Sequence, residues 1–219
     1  MIQTVIDERQ IAEVLHFTTH RGLVGTLASH ALKSRFRLPQ DAYLAHILHV
    51  NAAVRPEASA YFDKSENWLD YVNLSISEIN RRYLDVSEKW HAGGQVWWAI
   101  LSFDPVILTH DNVVFATTNN SYDQCVRAGG ADGLSALFAP TIHRKKPSWR
   151  AFRGLRAAEL TTCEQAEALY PGEVSTDFLR RIYVREEEYQ DQVAGWLEEF
   201  GLQDVEIVWS PQKFIGKRN

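Results

Sequence analysis

The sequence predicts an α+β domain built on a mixed or antiparallel sheet. Strand-like and helix-like segments are interspersed with no regular βαβ repeat. Gln95 to Phe103 (Gln-Val-Trp-Trp-Ala-Ile-Leu-Ser-Phe) is a near-continuous apolar run, as in a strand buried on both faces. Glu186 to Phe200 places Tyr189, Val193, Trp196, Leu197 and Phe200 on one helical face, and Gly201 stops it.

The other elements follow in order. Val14 to Thr18 reads as a short strand, and Leu23, Val24 and Leu27 give a following helix one apolar face. Residues 33 to 66 mix loop and short helix. Tyr71 to Ser77 alternates Tyr, Asn and Ser with Val, Leu and Ile, as a half-buried strand does. Val113 to Thr118 is a further strand, ending at Asn119-Asn120. Ser121 to Gly129 and Ala131 to Ala139 are expected to be helical. Gln165 to Leu169, Ile182 to Val184 and Val205 to Trp209 are expected as the late strands.

Chain length and composition narrow the class. At 219 residues, with no linker, repeat or low-complexity tract, the chain is expected to form a single domain over 1–219. No apolar run approaches the roughly 20 residues of a membrane span, so no membrane partner is expected. The first residues lack the cationic start and apolar stretch of a signal peptide. Cys125 and Cys163 are the only cysteines, without metal spacing, and a reducing cytoplasm is expected.

Charge is gathered in one place. Residues 143 to 156 (His-Arg-Lys-Lys-Pro-Ser-Trp-Arg-Ala-Phe-Arg-Gly-Leu-Arg) hold Arg144, Lys145, Lys146, Arg150, Arg153 and Arg156, and no Asp or Glu occurs from Gly133 to Ala158. The whole chain has 23 Lys and Arg against 28 Asp and Glu; without these six cations the remainder stands at −11. Trp149 and Phe152 are set among the cations. Cations neutralise phosphates and flat rings stack on unpaired bases. The competing expectation is a solvated loop whose two rings turn into the core.

Several chemistries lack their motifs. There is no G-x-x-x-x-G-K-[ST], no helix-opening G-x-G-x-x-G and no G-x-S-x-G. His46 and His49 are three apart but have no third ligand in register, so no metal is expected.

Three segments remain: His16-Phe17-Thr18, the strand Tyr71-Val72-Asn73-Leu74-Ser75-Ile76-Ser77, and Gln165-Ala166-Glu167-Ala168-Leu169. In this order they resemble the DarT family of nucleic-acid ADP-ribosyltransferase toxins. That family has a histidine strand, a helix opening with an Asn- or Gly-Leu-like step, and a late strand carrying the catalytic glutamate. The likeness runs in outline from about Leu15 to Phe200. Thr118-Asn119-Asn120-Ser121 stands where many members have Asn-Ala-Ala. Val96 to Asp104 resembles the family's middle strand, but the chain departs where many members carry a strand ending in Tyr-Val-Pro-Phe-Tyr-Phe and then an Arg-Ser-Pro-Met-Leu-like turn. Here Tyr-Val-Asn-Leu-Ser-Ile precedes Ser77-Glu78-Ile79-Asn80-Arg81-Arg82-Tyr83. The register of the arginine is shifted, to Arg81 or alternatively Arg82, and the target base is left open between thymidine and guanosine.

The resemblance implies an ADP-ribosyltransferase-like split sheet with flanking helices, NAD as ADP-ribose donor, and no metal. It makes Glu167 the catalytic carboxylate, with Arg81 gripping the pyrophosphate or the acceptor base. His16, Phe17, Thr18, Tyr71 and Ser75 would hold the cofactor, and Tyr71 or Tyr83 would stack on nicotinamide. Arg144, Lys145, Lys146, Trp149, Arg150 and Arg153 would hold nucleic acid: single-stranded DNA first, RNA as the alternative. A cognate macrodomain antitoxin is implied as partner. The competing classes are a non-catalytic single-strand binder, which would not need both His16 and Glu167, and an NAD hydrolase, which would not need the cations.

Overall fold

The structure, a computed structural model, describes residues 1–38, 68–146 and 148–217. His46 and His49, and most of the segment expected to mix loop and short helix, lie outside them. The chain begins with α1 (Ile2–Glu8), then β1 (Val14–Thr19), α2 (His20–Ala28) and β2 (Ala31–Lys33). After the undescribed segment come β3 (Tyr71–Ile76), α3 (Arg81–Trp90), β4 (Trp98–Phe103), β5 (Val114–Ala116), β6 (Arg127–Gly129) and α4 (Gly130–Ala136). The second half holds β7 (Thr141–His143), β8 (Arg150–Phe152), β9 (Glu167–Pro171), β10 (Glu173–Ser175), β11 (Leu179–Val184), α5 (Tyr189–Glu199) and β12 (Glu206–Trp209).

Eight strands form one mixed sheet in the order β12-β11-β4-β1-β3-β9-β5-β6. Among the described residues only β11 and β12 run parallel. Strand β4 is buried at every position, as its unbroken apolar run requires. Its inward residues join Val14, Leu74, Phe115, Ala168 and Ile182 in the main core, which α2 and α5 cover through Leu23, Leu27, Val193 and Leu197. The opposite face has a smaller core of Leu15, Ile79, Leu84, Ile100, Tyr183 and Phe214. Burying one large aliphatic side chain contributes roughly 1.5–3 kcal/mol. No helix among the described residues is long and apolar enough to cross a membrane.

Two local expectations need correction, and two helices were not foreseen. Ser121 to Gly129 is a turn followed by β6, not a helix. Asn119 Oδ1 accepts from both the amide and the hydroxyl of Ser121, which turns the chain locally, and Arg127 to Gly129 pair with β5. The basic stretch is a hairpin of β7 and β8 rather than a loop. Helices α1 and α3 escaped sequence reading; α3 buries only Leu84 and Ser87, too few for an apolar stripe. Asn80 caps α3 by accepting from the Tyr83 amide.

Candidate active site

Strands β1 and β3 pair only at Val14–Ile76 and Leu15–Ser75. By contrast β1 stays paired with β4 along its whole length. Past Leu15 the sheet splits, and a cavity of about 640 Å³ opens at the split. His16, Phe17, Thr18, Tyr71, Asn73, Ser75, Tyr83, Lys145 and Glu167 are among its lining residues. Alternation along the paired strands puts Phe17, Ser75, Asn73, Tyr71 and Glu167 on one face, with His16 and Thr18 on the other. The cavity therefore takes residues from both faces.

His16 bridges the split. Its Nδ1 lies 2.9 Å from the Asn73 carbonyl. A carbonyl only accepts, so Nδ1 donates, and in the neutral ring Nε2 is the acceptor nitrogen. Beside it, the first turn of α2 holds Gly22-Leu23. A Cβ on Gly22 would sit 2.1 Å from Thr18 Oγ1, so glycine is what lets strand end and helix start close together. Thr19 caps the helix, its hydroxyl accepting from the Gly22 amide.

One wall is aromatic. The Phe17 ring lies 5.7 Å from Tyr83 and 5.8 Å from Trp98 between centroids. Trp90 meets Tyr83 edge-on and His91 meets Trp98 in the same way. Such pairs hold a rigid, flat-faced surface.

Glu167 opens β9 and is partly buried. Its Oε2 accepts from the Asn120 amide at 2.7 Å. Burial pushes its carboxyl up to about 7, against the opposing pull of the Asn120 amide, the Asn73 side chain and the Arg127 charge. A carboxyl poised near neutrality suits proton transfer. It also ties stability to pH. The folded pKa lies above the ordinary 4.5, so the native state keeps a proton that the unfolded chain releases. Stability contributed by this group is full below pH 4.5 and falls as pH rises through about 7. Glu167→Gln is therefore expected to raise the melting temperature at pH 8 and to leave it unchanged near pH 4, a gain of roughly 2–3 kcal/mol at the alkaline end. Equal melting curves at pH 8 would count against a destabilising ionised Glu167.

The arginines divide. Arg81 does not line the cavity: it pairs with Asp85 one helical turn on and donates to the Phe214 carbonyl. The forked grip expected of it is already spent on the protein. Arg82 is half exposed and pairs with Glu164, and Arg144 also meets Glu164 at 3.3 Å; Glu164 stands three residues before Glu167.

In the hairpin, Ile142 and Ala151 pack inward with Cys163. Alternation sends Arg150 and Phe152 outward. Trp149 is 53% exposed and Phe152 63%, so neither ring turns into the core. Lys146 Nζ lies 5.1 Å from the centre of the Trp149 ring. Lys145, Lys146 and Arg150 are exposed, and Lys145 joins the hairpin to the cavity rim. Arg153 is different. Its guanidinium donates to the carbonyls of Ala157, Ala158 and Leu160 and lies over the Phe138 ring, which ties down the loop that follows. Arg156 is likewise held, by Glu78 and the carbonyls of Thr161 and Lys217.

A family model described as "ssDNA thymidine ADP-ribosyltransferase, DarT" matches residues 15–215. The chain belongs to the DarT family. Thermus sp. 2.9 DarT in complex with NAD+ superposes with a TM-score of 0.62 at 15% identity, covering 93% of this chain and 98% of that one. The same protein in complex with ADP-ribosylated ssDNA gives 0.61 at 15% identity, over 93% and 96%. Thermosipho africanus DarTG in complex with ADP-ribose gives 0.56 at 13% identity, over 95% of this chain; the chain spans 52% of that protein's length. At these identities the likeness is one of fold. No curated protein matches the sequence closely.

Several groups in or behind the wall of this DarT-family cavity escaped sequence reading. Asn73 meets His16 through its main-chain carbonyl, which no side-chain pattern reveals, and Glu167 through its side chain. Trp90 ends α3, His91 caps it and Trp98 opens β4, all outside the three motifs. Asn120 was within reach, since it stands in the Asn-Asn step, yet its contribution is a backbone amide. Among the described residues no group of three or more His, Cys, Asp or Glu is arranged to hold a metal ion.

Proposed function

We propose that this chain transfers ADP-ribose from NAD⁺ to thymidine in single-stranded DNA. The observation that carries it is one cavity at a sheet split, lined by His16 and Glu167, with the basic aromatic hairpin at its rim. DarT-family membership and the NAD⁺ and ADP-ribosylated ssDNA complexes of Thermus DarT support the same reaction.

In this reaction the bond between nicotinamide nitrogen and ribose C1′ breaks, and nicotinamide leaves as a neutral molecule with the bonding pair. Positive charge develops on the ribose. The Glu167 carboxylate stabilises that charge. A base nitrogen then bonds to C1′ and gives up its proton, for which Glu167 is the acceptor. His16 orients the ribose through Nε2. Phe17, Thr18, Tyr71 and Ser75 complete the cofactor's surroundings, with Tyr71 or Tyr83 against the nicotinamide. Arg82, half exposed and paired with Glu164, is the alternative to Arg81 for the pyrophosphate or the acceptor base.

On the acceptor side, Lys145, Lys146 and Arg150 meet phosphates and Trp149 offers a stacking face. An unstacked base exposes the nitrogen that a duplex hides. Residues 1–219 act as one transferase domain, supported by a sheet that draws strands from both halves of the chain. The cytoplasm supplies both NAD⁺ and DNA. Family membership implies a cognate macrodomain antitoxin that removes the modification.

The decisive experiment incubates the protein with NAD⁺ and single-stranded DNA or RNA oligonucleotides and reads their mass. Addition of ADP-ribose to thymidine-containing DNA is expected. Addition to RNA alone, or free ADP-ribose with neither nucleic acid modified, would overturn the proposal. His16→Ala is expected to weaken NAD⁺ binding and slow transfer together. Unchanged NAD⁺ affinity with a lowered melting temperature would make His16 a packing residue instead.

A further inference from the structure

The Asn120 amide that holds Glu167 belongs to the connection between β5 and β6. One side chain gathers this connection. Arg127 opens β6, and its Nε donates to Asn120 Oδ1 at 2.5 Å. One terminal nitrogen donates to the Asn120 carbonyl at 2.5 Å, the other to the Cys125 carbonyl at 3.3 Å. All three acceptors lie in the connection. The guanidinium carbon is 5.5 Å from the centre of the Trp68 ring, a cation–π contact that holds it in place.

The register of the sheet brings the same arginine close to the carboxylate. Ala116 is opposite Arg127 on one side and opposite Glu167 on the other. Residues opposite one another share a face, so Arg127 and Glu167 flank a single methyl group. The Arg127 charge favours the ionised carboxyl.

We propose that Arg127 is a positioning residue for Glu167: its fork fixes the connection that presents the Asn120 amide, and its guanidinium stands across Ala116 from the carboxylate. This rests on the transferase role of Glu167. The other groups near that carboxyl are the Asn120 amide, Asn73 from β3 and the Cys125 thiol, which burial keeps in its neutral form. His16, Tyr71, Tyr83 and Lys145 line the same cavity. Substitution at position 127 leaves all of these in the chain, so a shift in titration reports on the arginine.

Two variants separate the roles. Arg127→Met removes fork and charge. The acid limb of its kcat/KM profile for oligonucleotide transfer is expected to move upward by about half a unit or more, with a plateau lowered on the order of ten-fold or more. Arg127→Lys keeps the charge and loses the fork. Its acid limb should stay within about 0.3 units of wild type while its plateau falls. If the Met variant does not fold, the Lys variant alone decides: a wild-type plateau would remove the positioning role. An acid limb in Arg127→Met that coincides with wild type would remove the electrostatic one. Titration of the Glu167 carboxyl by ¹³C NMR, in wild type and Arg127→Met, reads the same shift without turnover. An inactive wild type would thus count against the transferase reading, whereas an unmoved carboxyl titration counts against Arg127.

Discussion

Replacing Glu167 with Gln is expected to abolish ADP-ribosyl transfer while leaving NAD⁺ binding largely intact. The amide keeps the size of the side chain but loses its negative charge. That charge acts mainly on the cationic ribose of the transition state, which the ground state only partly resembles. Losing one preorganised electrostatic contact costs on the order of 10²–10³ in rate, and more where the same group takes the proton. In the proposed reaction Glu167 combines both tasks, and its carboxylate is braced by the Asn120 amide. Its carboxyl, raised to about 7 by burial, must be ionised to act. The wild-type rate should therefore rise with pH and level off above about 7. Single-turnover assays at saturating NAD⁺ check the first point and a kcat/KM profile the second. A Gln variant that keeps more than about a tenth of the wild-type rate, judged against that scale, would falsify the assignment.

The second large effect is expected from the hairpin. Trp149→Ala should weaken single-stranded DNA binding by about 1–3 kcal/mol if one base stacks on the indole. The indole is half exposed and braced by Lys146, so a base can reach it without disturbing the core. Neutralising Lys146 and Arg150 together should act differently. Affinity should fall for every sequence, and the log–log salt slope should flatten by roughly 0.7 per lost phosphate contact. Arg153→Gln provides the contrast: its guanidinium is engaged by three carbonyls, so its loss should lower thermal stability with little change in slope. Fluorescence anisotropy across a salt series measures all three. Salt slopes that coincide in wild type and the Lys146/Arg150 double variant would mean that phosphates do not meet the hairpin.

The order of the motifs along the chain was legible because each is local. His16-Phe17-Thr18, the alternation from Tyr71 to Ser77, and Gln165 to Leu169 all follow strand periodicity, which needs no knowledge of neighbours. The density of cations from Arg144 to Arg156 was equally plain, as was the apolar run that became β4. Which cations face solvent was not legible. Arg144, Arg153 and Arg156 look like Lys145, Lys146 and Arg150 in the sequence. The first three are engaged by the carboxylates of Glu164 and Glu78 and by nearby carbonyls, contacts set by how the chain folds back after β8.

By itself the sequence determined the α+β class, the strands that carry His16 and Glu167, and the presence of a basic aromatic segment before the glutamate. Side-chain type and periodicity suffice for these. Tertiary structure decided that β1 and β3 part after two residue pairs, opening the cavity between them. It decided that Arg81 pairs with Asp85 and donates to the Phe214 carbonyl, and that Arg127 and the Asn120 amide stand behind Glu167. These are long-range pairings and backbone contacts: their partners are distant in sequence, and an amide or carbonyl carries no mark of the residue to which it belongs.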